Sequence, residues 1–381
     1  MSNTYFGDDQ RPTQPEPDPA LVGYPPPSAE AAWYSPIPGY GPPPAYSAAL
    51  VEPDTQAHPG AWGRPTAPVV ERPRPYHQLL RGPRFRWWKP LLSLVVLIPM
   101  LVIFMLLAQL PILLYAVATG VPDPIRYVEV ATTTVQNIGP AGFAYINLAL
   151  IVLIPATMLS TWIVHRVRPR FVSSVVGGIR WRWLLRCLMV ILPIWLVYIG
   201  VSLIAQPSDA ARPTQWLPLL VIGILLTPLQ AAGEEYFFRG WIMQNVGAWF
   251  ARPMLGLVVA LALSSTLFAA AHLSPDPWVL GVLACTGLMA GLATWRTGGL
   301  EAAIVIHAVN NVLTLGSVIL FGGWEEAFVD TETTGTPMML LVTLLVEGGA
   351  LALLLWQAKR AGVQSLYQPS TRPQVTAFRS P

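Results

Sequence analysis

Charged residues are scarce in this sequence. Asp, Glu, Lys and Arg together make up 11% of its 381 residues, whereas 53% are hydrophobic and the mean hydropathy is +0.49. Soluble domains carry about 25% charged residues, so this composition excludes the ordinary soluble class and is typical of a polytopic membrane protein. The net charge is only +3, and the sequence shows no cluster of basic residues that resembles a nucleic-acid-binding surface. Nucleic acid is therefore not expected as a partner.

Cysteine is almost absent as well. Cys187 and Cys285 lie in or beside apolar runs and form no CxxC pair, which argues against a disulfide scaffold. The N-terminus has no short apolar run followed by a small-residue cleavage site, so we expect no removable signal peptide.

Proline is concentrated at one end of the chain. Twenty of the 39 prolines lie at or before Pro90, without hydrophobic periodicity, and this favours solvated chain over a packed core. We therefore expect residues 1–88 to form a disordered cytoplasmic arm and residues 361–381 a short polar tail. Residues 42–46 (PPPAY) fit a ligand for a binder of proline-rich motifs, although such strings also arise by chance in an arm of this composition.

Residues 89–360 contain the long apolar runs. About 20 apolar residues are needed to cross the roughly 30 Å hydrocarbon core of a bilayer as a helix. The sequence predicts an all-α, polytopic transmembrane bundle of about eight spans, the fourth continuing toward Phe250. The predicted spans are 91–118, 142–164, 183–205, 216–238, 254–272, 277–295, 300–321 and 337–358.

Basic and acidic residues alternate between the two sides of this bundle. By the positive-inside rule, the arginine-rich side is cytoplasmic and both termini lie there, in agreement with an even number of spans. We expect an integral multi-pass protein of a bacterial cytoplasmic membrane, with membrane lipid as a partner. The basic group comprises Arg81, Arg84, Arg86, Lys89, Arg166, Arg168, Arg170, Arg180, Arg182, Arg252, Arg296, Lys359 and Arg360.

Two carboxylates and an arginine stand at the end of the apolar run that begins the fourth span. Charged groups at membrane depth cost about 2.5–3.5 kcal/mol each on insertion scales, so they usually face a protein interior and serve a function. On a helix, Glu235 and Arg239 are four residues apart and share a face, whereas Glu234 is turned about 100° away. One carboxylate can thus pair with the arginine while the other remains available as a base. A plain interfacial charge cluster is the alternative.

Polar residues recur on two later spans. His272 closes the fifth span, and His307 and Asn311 are four residues apart on the seventh. Each could separately be a helix cap or an interhelical hydrogen bond. Together with Glu234, they supply the groups needed to activate a water molecule and stabilise a tetrahedral oxyanion, as amide hydrolysis requires.

The ordered motifs Glu234-Glu235-x-x-x-Arg239, Phe268-x-x-x-His272 and His307-x-x-x-Asn311 resemble the signature of the CPBP family. This family of intramembrane proteases includes type II CAAX prenyl endopeptidases and bacterial lysostaphin-resistance and bacteriocin-immunity relatives. The turn at residues 297–300 is also similar to the family pattern. The resemblance covers residues 215–321, a protease core within the larger bundle.

The resemblance implies a role for each motif residue. Glu234 would be the general base, Glu235 with Arg239 would support the site, and the substrate would be a membrane-associated or lipidated protein. The remaining residues, His272, His307 and Asn311, would stabilise the carbonyl oxygen or help to bind a metal. A zinc ion held by Glu234, His272 and His307 stays open, although the helical H-E-x-x-H pair is lacking; we favour a glutamate-activated water.

Two other functions stay open at this point. The same side chains could relay protons in a transporter, or the bundle could be a catalytically silent immunity or scaffold protein. The rise of a helix also leaves a mismatch in depth, because His307 is only ten residues, or about 15 Å, beyond Thr297. It would lie too shallow to meet Glu235 unless the helices tilt or that turn is raised. Glu347 in the eighth span is interpreted as a buried glutamate outside the site.

Overall fold

The computed structural model describes residues 73–133 and 138–368, and the molecule is mostly helical in these ranges. Residues 1–72 of the predicted arm, with the segment 42–46, and the part of the predicted tail beyond residue 368 lie outside the described residues. The helices are α1 (Lys89–Leu107), α2 (Leu110–Ala118), α3 (Pro124–Thr133), α4 (Pro140–Ile151), α5 (Leu153–His165), α6 (Trp181–Ala205), α7 (Trp216–Glu235), α8 (Met243–Trp249), α9 (Pro253–Ala270), α10 (Pro277–Thr297), α11 (Glu301–Phe321) and α12 (Pro337–Arg360).

Eight helical segments of the described chain are long and apolar enough to cross a membrane, which confirms the predicted bundle. Helices α1 with α2 and α4 with α5 each make one segment, and α7 continues into α8. That fourth segment, Trp216–Trp249, has 34 residues and is about 51 Å long, so it exceeds the hydrocarbon core.

Proline and capping residues explain several helix starts. Proline occupies the first turn of α4, α9, α10 and α12, where its missing N–H removes no helical hydrogen bond. The Asp276 carboxylate accepts hydrogen bonds from the backbone N–H groups of Trp278 and Val279 and so caps α10. Gly298 ends α10 in the left-handed conformation at φ 68°.

A glycine lets α7 approach its neighbours next to the two carboxylates. A methyl group at Gly233 would overlap the backbone carbonyl of Leu150, at the end of α4. The close packing of α7 on α4 therefore depends on the absence of a side chain at residue 233.

Residues 73–88 differ from the predicted disordered arm, because they pack against the bundle. Strand β1 (Arg74–Pro75) pairs antiparallel with β2 (Leu366–Tyr367), and the next residues form a buried 3₁₀ turn, Tyr76–Gln78. His77 Nε2 donates to the Pro253 carbonyl at 3.0 Å. The ordered structure thus begins before residue 88 and includes a strand within the predicted tail.

The turn between α10 and α11 does not lie at the surface. Leu300 donates its N–H to the Ser173 carbonyl at 2.9 Å, and the Val175 N–H donates to the Gly298 carbonyl at 2.8 Å. Leu300 and Glu301 are both 0% exposed. The loop between α5 and α6, which contains Ser173 and Val175, covers this turn, so α11 starts within the protein.

Candidate active site

The fourth span changes its helical form at the two carboxylates. Helix α7 ends at Glu235, and a π-helical segment, Tyr236–Ile242, carries the arginine. Arg239 Nη1 donates to Glu235 Oε1 at 2.9 Å, and the two side chains are 0% and 1% exposed. The spacing predicted this contact, but not the π-helical segment, a feature often found at functional sites.

The arginine is also held by an aromatic ring. The Arg239 guanidinium lies 4.4 Å from the centroid of the Phe268 ring on α9. A cation over an aromatic face is attracted by the ring quadrupole. Phe268, the first residue of the second motif, therefore ties α9 to the charged end of α7.

His307 lies between the two glutamates. Its Nδ1 donates to Glu235 Oε1 at 2.8 Å, and its Nε2 is 3.4 Å from Glu234 Oε2. Because the Glu235 carboxylate is paired with Arg239 and only accepts hydrogen bonds, Nδ1 carries the hydrogen. The Nε2 atom, on the other side of the ring, faces Glu234.

The two carboxylates have different surroundings. The Glu234 side chain is 13% exposed, compared with 1% for Glu235, and Glu235 Oε1 already accepts two hydrogen bonds. Glu234 Oε2 lies 3.4 Å from His307 Nε2, so the carboxylate and the imidazole face the same point in the site. Glu234 and His307 can therefore accept and release a proton together.

A glutamine that sequence reasoning missed supports Glu234. Gln230 Nε2 donates to Glu234 Oε1 at 2.7 Å, and Gln230 Oε1 accepts from Asn311 Nδ2 at 3.3 Å. Gln230 precedes Glu234 by four residues on α7, so the i to i+4 spacing could have identified it. Asn311, one helical turn after His307 on α11, is thus linked to Glu234 through Gln230.

His272 approaches the site less closely. It follows α9, its Nδ1 donates to the Phe268 carbonyl at 2.9 Å, and its ring centroid is 5.0 Å from that of Phe268. The centroid of the Phe268 ring also lies 5.7 Å from that of His307. Among the described residues His272 makes no hydrogen bond to Glu234 or His307, so Phe268 connects the two imidazoles.

The metal-binding set considered from the sequence is not assembled. No group of three His, Cys, Asp or Glu side chains within residues 73–133 and 138–368 is arranged to hold a metal ion. Glu234 and His307 are in contact, whereas His272 is not part of their cluster. These residues as placed do not fit a zinc site with three protein ligands.

Glu347 lies outside this set of contacts. The side chain on α12 is 6% exposed, and its Oε1 accepts a hydrogen bond from Thr286 Oγ1 at 2.7 Å. No hydrogen bond joins it to the motif residues within the described chain. Its interpretation as a buried glutamate agrees with this position.

A known sequence family and a curated protein are similar to parts of this chain. Residues 214–313 match the family model "Type II CAAX prenyl endopeptidase Rce1-like", which confirms the resemblance noted in the sequence. The chain is also 28% identical over 163 residues to "Uncharacterized protein YyaK" of Bacillus subtilis (strain 168), covering 41% of this chain and 53% of YyaK. It thus spans about half the length of that curated relative. No solved structure matches.

Proposed function

We propose that this integral multi-pass membrane protein, whose residues 214–313 are similar to type II CAAX prenyl endopeptidases, is an intramembrane endopeptidase. The observation that carries the proposal is the contact of His307 with both Glu234 and Glu235, because it joins two separated motifs into one proton-transfer unit. The substrates are membrane-associated or lipidated proteins. The protein would act in a bacterial cytoplasmic membrane with both termini in the cytoplasm.

In the proposed mechanism, Glu234 Oε2 takes a proton from a water molecule, whose oxygen attacks the carbonyl carbon of the scissile bond. The developing oxyanion accepts hydrogen bonds from Asn311 Nδ2–H and from the protonated His307. Glu234 then passes its proton to the leaving amine as the C–N bond breaks, so no proton is gained or lost. Glu235 and Arg239 keep His307 in one orientation throughout.

His272 would be a third contributor to oxyanion stabilisation. Its Nδ1 is engaged by the Phe268 carbonyl, which leaves Nε2 for the substrate. Donation from Nε2 requires the imidazolium form, because Nδ1 already carries a hydrogen. We derive no step through a metal, since the donor set does not fit one.

The proposal is tested by mass spectrometry of membranes that contain the wild-type protein, Glu234→Gln or Glu129→Gln. Peptides with new termini should appear with the wild-type protein and with Glu129→Gln, whose exposed carboxylate on α3 pairs with Arg126, and should be absent with Glu234→Gln. Cleavage retained by Glu234→Gln would overturn the assignment of the base. Uptake driven by a pH gradient, without new termini, would instead indicate a transporter. A parallel series with a chelator tests metal dependence.

A further inference from the structure

A chain of hydrogen bonds runs from a buried tryptophan on α6 to the carboxylate proposed as the base. Trp195 Nε1 donates to Asn310 Oδ1 at 3.0 Å, and Asn310 Nδ2 donates to Asn311 Oδ1 at 3.2 Å. The chain continues from Asn311 Nδ2 to Gln230 Oε1 at 3.3 Å and ends with Gln230 Nε2 donating to Glu234 Oε1 at 2.7 Å. Three carboxamides in series therefore connect the indole to the carboxylate.

The two ends of this chain determine its direction. An indole N–H can only donate and an ionised carboxylate can only accept, whereas a carboxamide presents an acceptor on one side and donors on the other. With Trp195 as the first donor, Asn310 must turn its oxygen toward α6 and its nitrogen toward Asn311. The same logic makes Asn311 accept from Asn310 and donate to Gln230. If the Asn311 carboxamide were reversed, its nitrogen would face the nitrogen of Asn310, and both are donors. Its oxygen would face the oxygen of Gln230, and both are acceptors.

This direction matters because of the role proposed for Asn311. Its Nδ2 has two hydrogens, and Gln230 takes one of them, so the second remains for the substrate. A carboxamide turned by 180° would instead present oxygen to the negatively charged oxyanion, and their repulsion would oppose the reaction.

We propose that Trp195 is a positioning residue that fixes the donor side of Asn311 toward the substrate; this inference rests on the proposed function. Trp195 is 1% exposed and packs in the core formed by α6, α10, α11 and α12. It lies outside residues 214–313, so no motif of the matched family segment includes it. Within the described residues, Trp195 makes no hydrogen bond to the carboxylates or to His307, so it acts through the amides.

The chain offers a matched control on the same helix. Trp183 belongs to the same hydrophobic cluster and is 4% exposed, but its indole N–H has no hydrogen-bond partner in the described structure. The changes Trp195→Phe and Trp183→Phe both remove an indole from this core. Trp195→Phe alone removes the donor that fixes the amides.

The test measures the initial rate at which new peptide termini appear when the purified protein is reconstituted with a bacterial membrane-protein fraction. Trp195→Phe should slow this rate about tenfold, less than the roughly 10²–10³-fold cost of removing an oxyanion donor. Trp183→Phe should retain the wild-type rate. In an Asn311→Ala background, Trp195→Phe should cause no further loss, because no carboxamide remains to be oriented.

Equal rates for Trp195→Phe and Trp183→Phe would overturn the proposal. An unchanged tenfold loss in the Asn311→Ala background would also overturn it, since that result indicates a merely structural role.

A second readout does not depend on turnover. The indole ¹H–¹⁵N resonance that disappears in Trp195→Phe should shift when Asn310→Ala removes its acceptor, and an unshifted resonance would also overturn the proposal. Lack of cleavage by the wild-type protein would overturn the proposed function, whereas the resonance would still report on the amide chain.

Discussion

His307 donates a hydrogen bond of 2.8 Å to Glu235, although 72 residues separate them in the sequence. The bond joins the start of α11 to the end of α7, and it uses the same carboxylate oxygen that accepts from Arg239. Glu235 thereby has two functions: it compensates a buried cation and it fixes the orientation of an imidazole.

Comparing Glu235→Gln with the double variant Glu235→Gln/Arg239→Met should separate these two functions. Breaking a buried ion pair by removing one partner costs about 3–5 kcal/mol, because the remaining charge is buried without compensation. We expect a lower free energy of unfolding in detergent, measured by thermal denaturation, together with loss of cleavage. The double variant Glu235→Gln/Arg239→Met should recover stability but not cleavage, and recovery of both would contradict the role of Glu235 in holding His307.

Gln230→Leu should impair the base without unfolding the bundle. The substitution keeps the side-chain size and removes the donor to Glu234, a hydrogen bond to a charged group with a contribution of about 1.5–3 kcal/mol. We expect new peptide termini to appear roughly 10- to 100-fold more slowly, as measured by mass spectrometry. The control is Gln206→Leu, at an exposed position just after α6, which should leave the rate unchanged. Equal rates for the two variants would argue against Gln230 as a support for the base.

Gly233→Ala should disturb the packing of α7. The added methyl group would overlap the Leu150 carbonyl, so α7 would have to move away from α4 and carry Glu234 with it. We expect a lower midpoint of thermal unfolding and reduced cleavage. In contrast, Gly348→Ala on α12 meets no atom within 4 Å and should be neutral or slightly stabilising, because alanine has the higher helix propensity. An unfolding midpoint for Gly233→Ala equal to that of wild type would contradict the close approach.

His77 should make stability depend on pH. Burial lowers the pKa of this imidazole from 6.5 to about 4, so the unfolded chain binds a proton in a pH range where the folded protein does not. The free energy of unfolding is therefore unaffected by His77 above pH 6.5. It decreases by about 3 kcal/mol as the pH falls from 6.5 toward 4, because protons then bind preferentially to the unfolded chain. His77→Gln keeps a donor for the Pro253 carbonyl and should abolish this part of the dependence.

The measurement compares thermal unfolding of wild type and His77→Gln at several pH values between 7.5 and 4. The difference between the two proteins isolates His77 from the other titrating groups. Parallel curves over the whole range would show that His77 is accessible to protons in the folded protein.

Local patterns in the sequence were sufficient for the spans and for pairs on one helix. The eight apolar runs, the contact between Glu235 and Arg239, and the common face of His307 and Asn311 all follow from helical periodicity. These features depend only on residues a few positions apart, where the geometry of the helix is known in advance.

Contacts between distant segments were not predictable in this way. The cover over Leu300 comes from Ser173 in a loop without regular periodicity, and the hydrogen bond from Trp195 to Asn310 depends on how α6 packs against α11. The average composition of residues 1–88 predicted disorder, although the short segment that contains His77 is buried against the bundle. A composition average cannot identify a few residues whose partners lie more than 150 positions later.

The pairing of β1 with β2 has a topological consequence for the described part of the chain. Arg74 and Tyr367 are direct strand partners, so the polypeptide enters and leaves the bundle at one place. Whichever compartment contains Arg74 must also contain Tyr367, without any assumption about the distribution of arginines. A single reporter group attached beside either residue would therefore establish the sidedness of both.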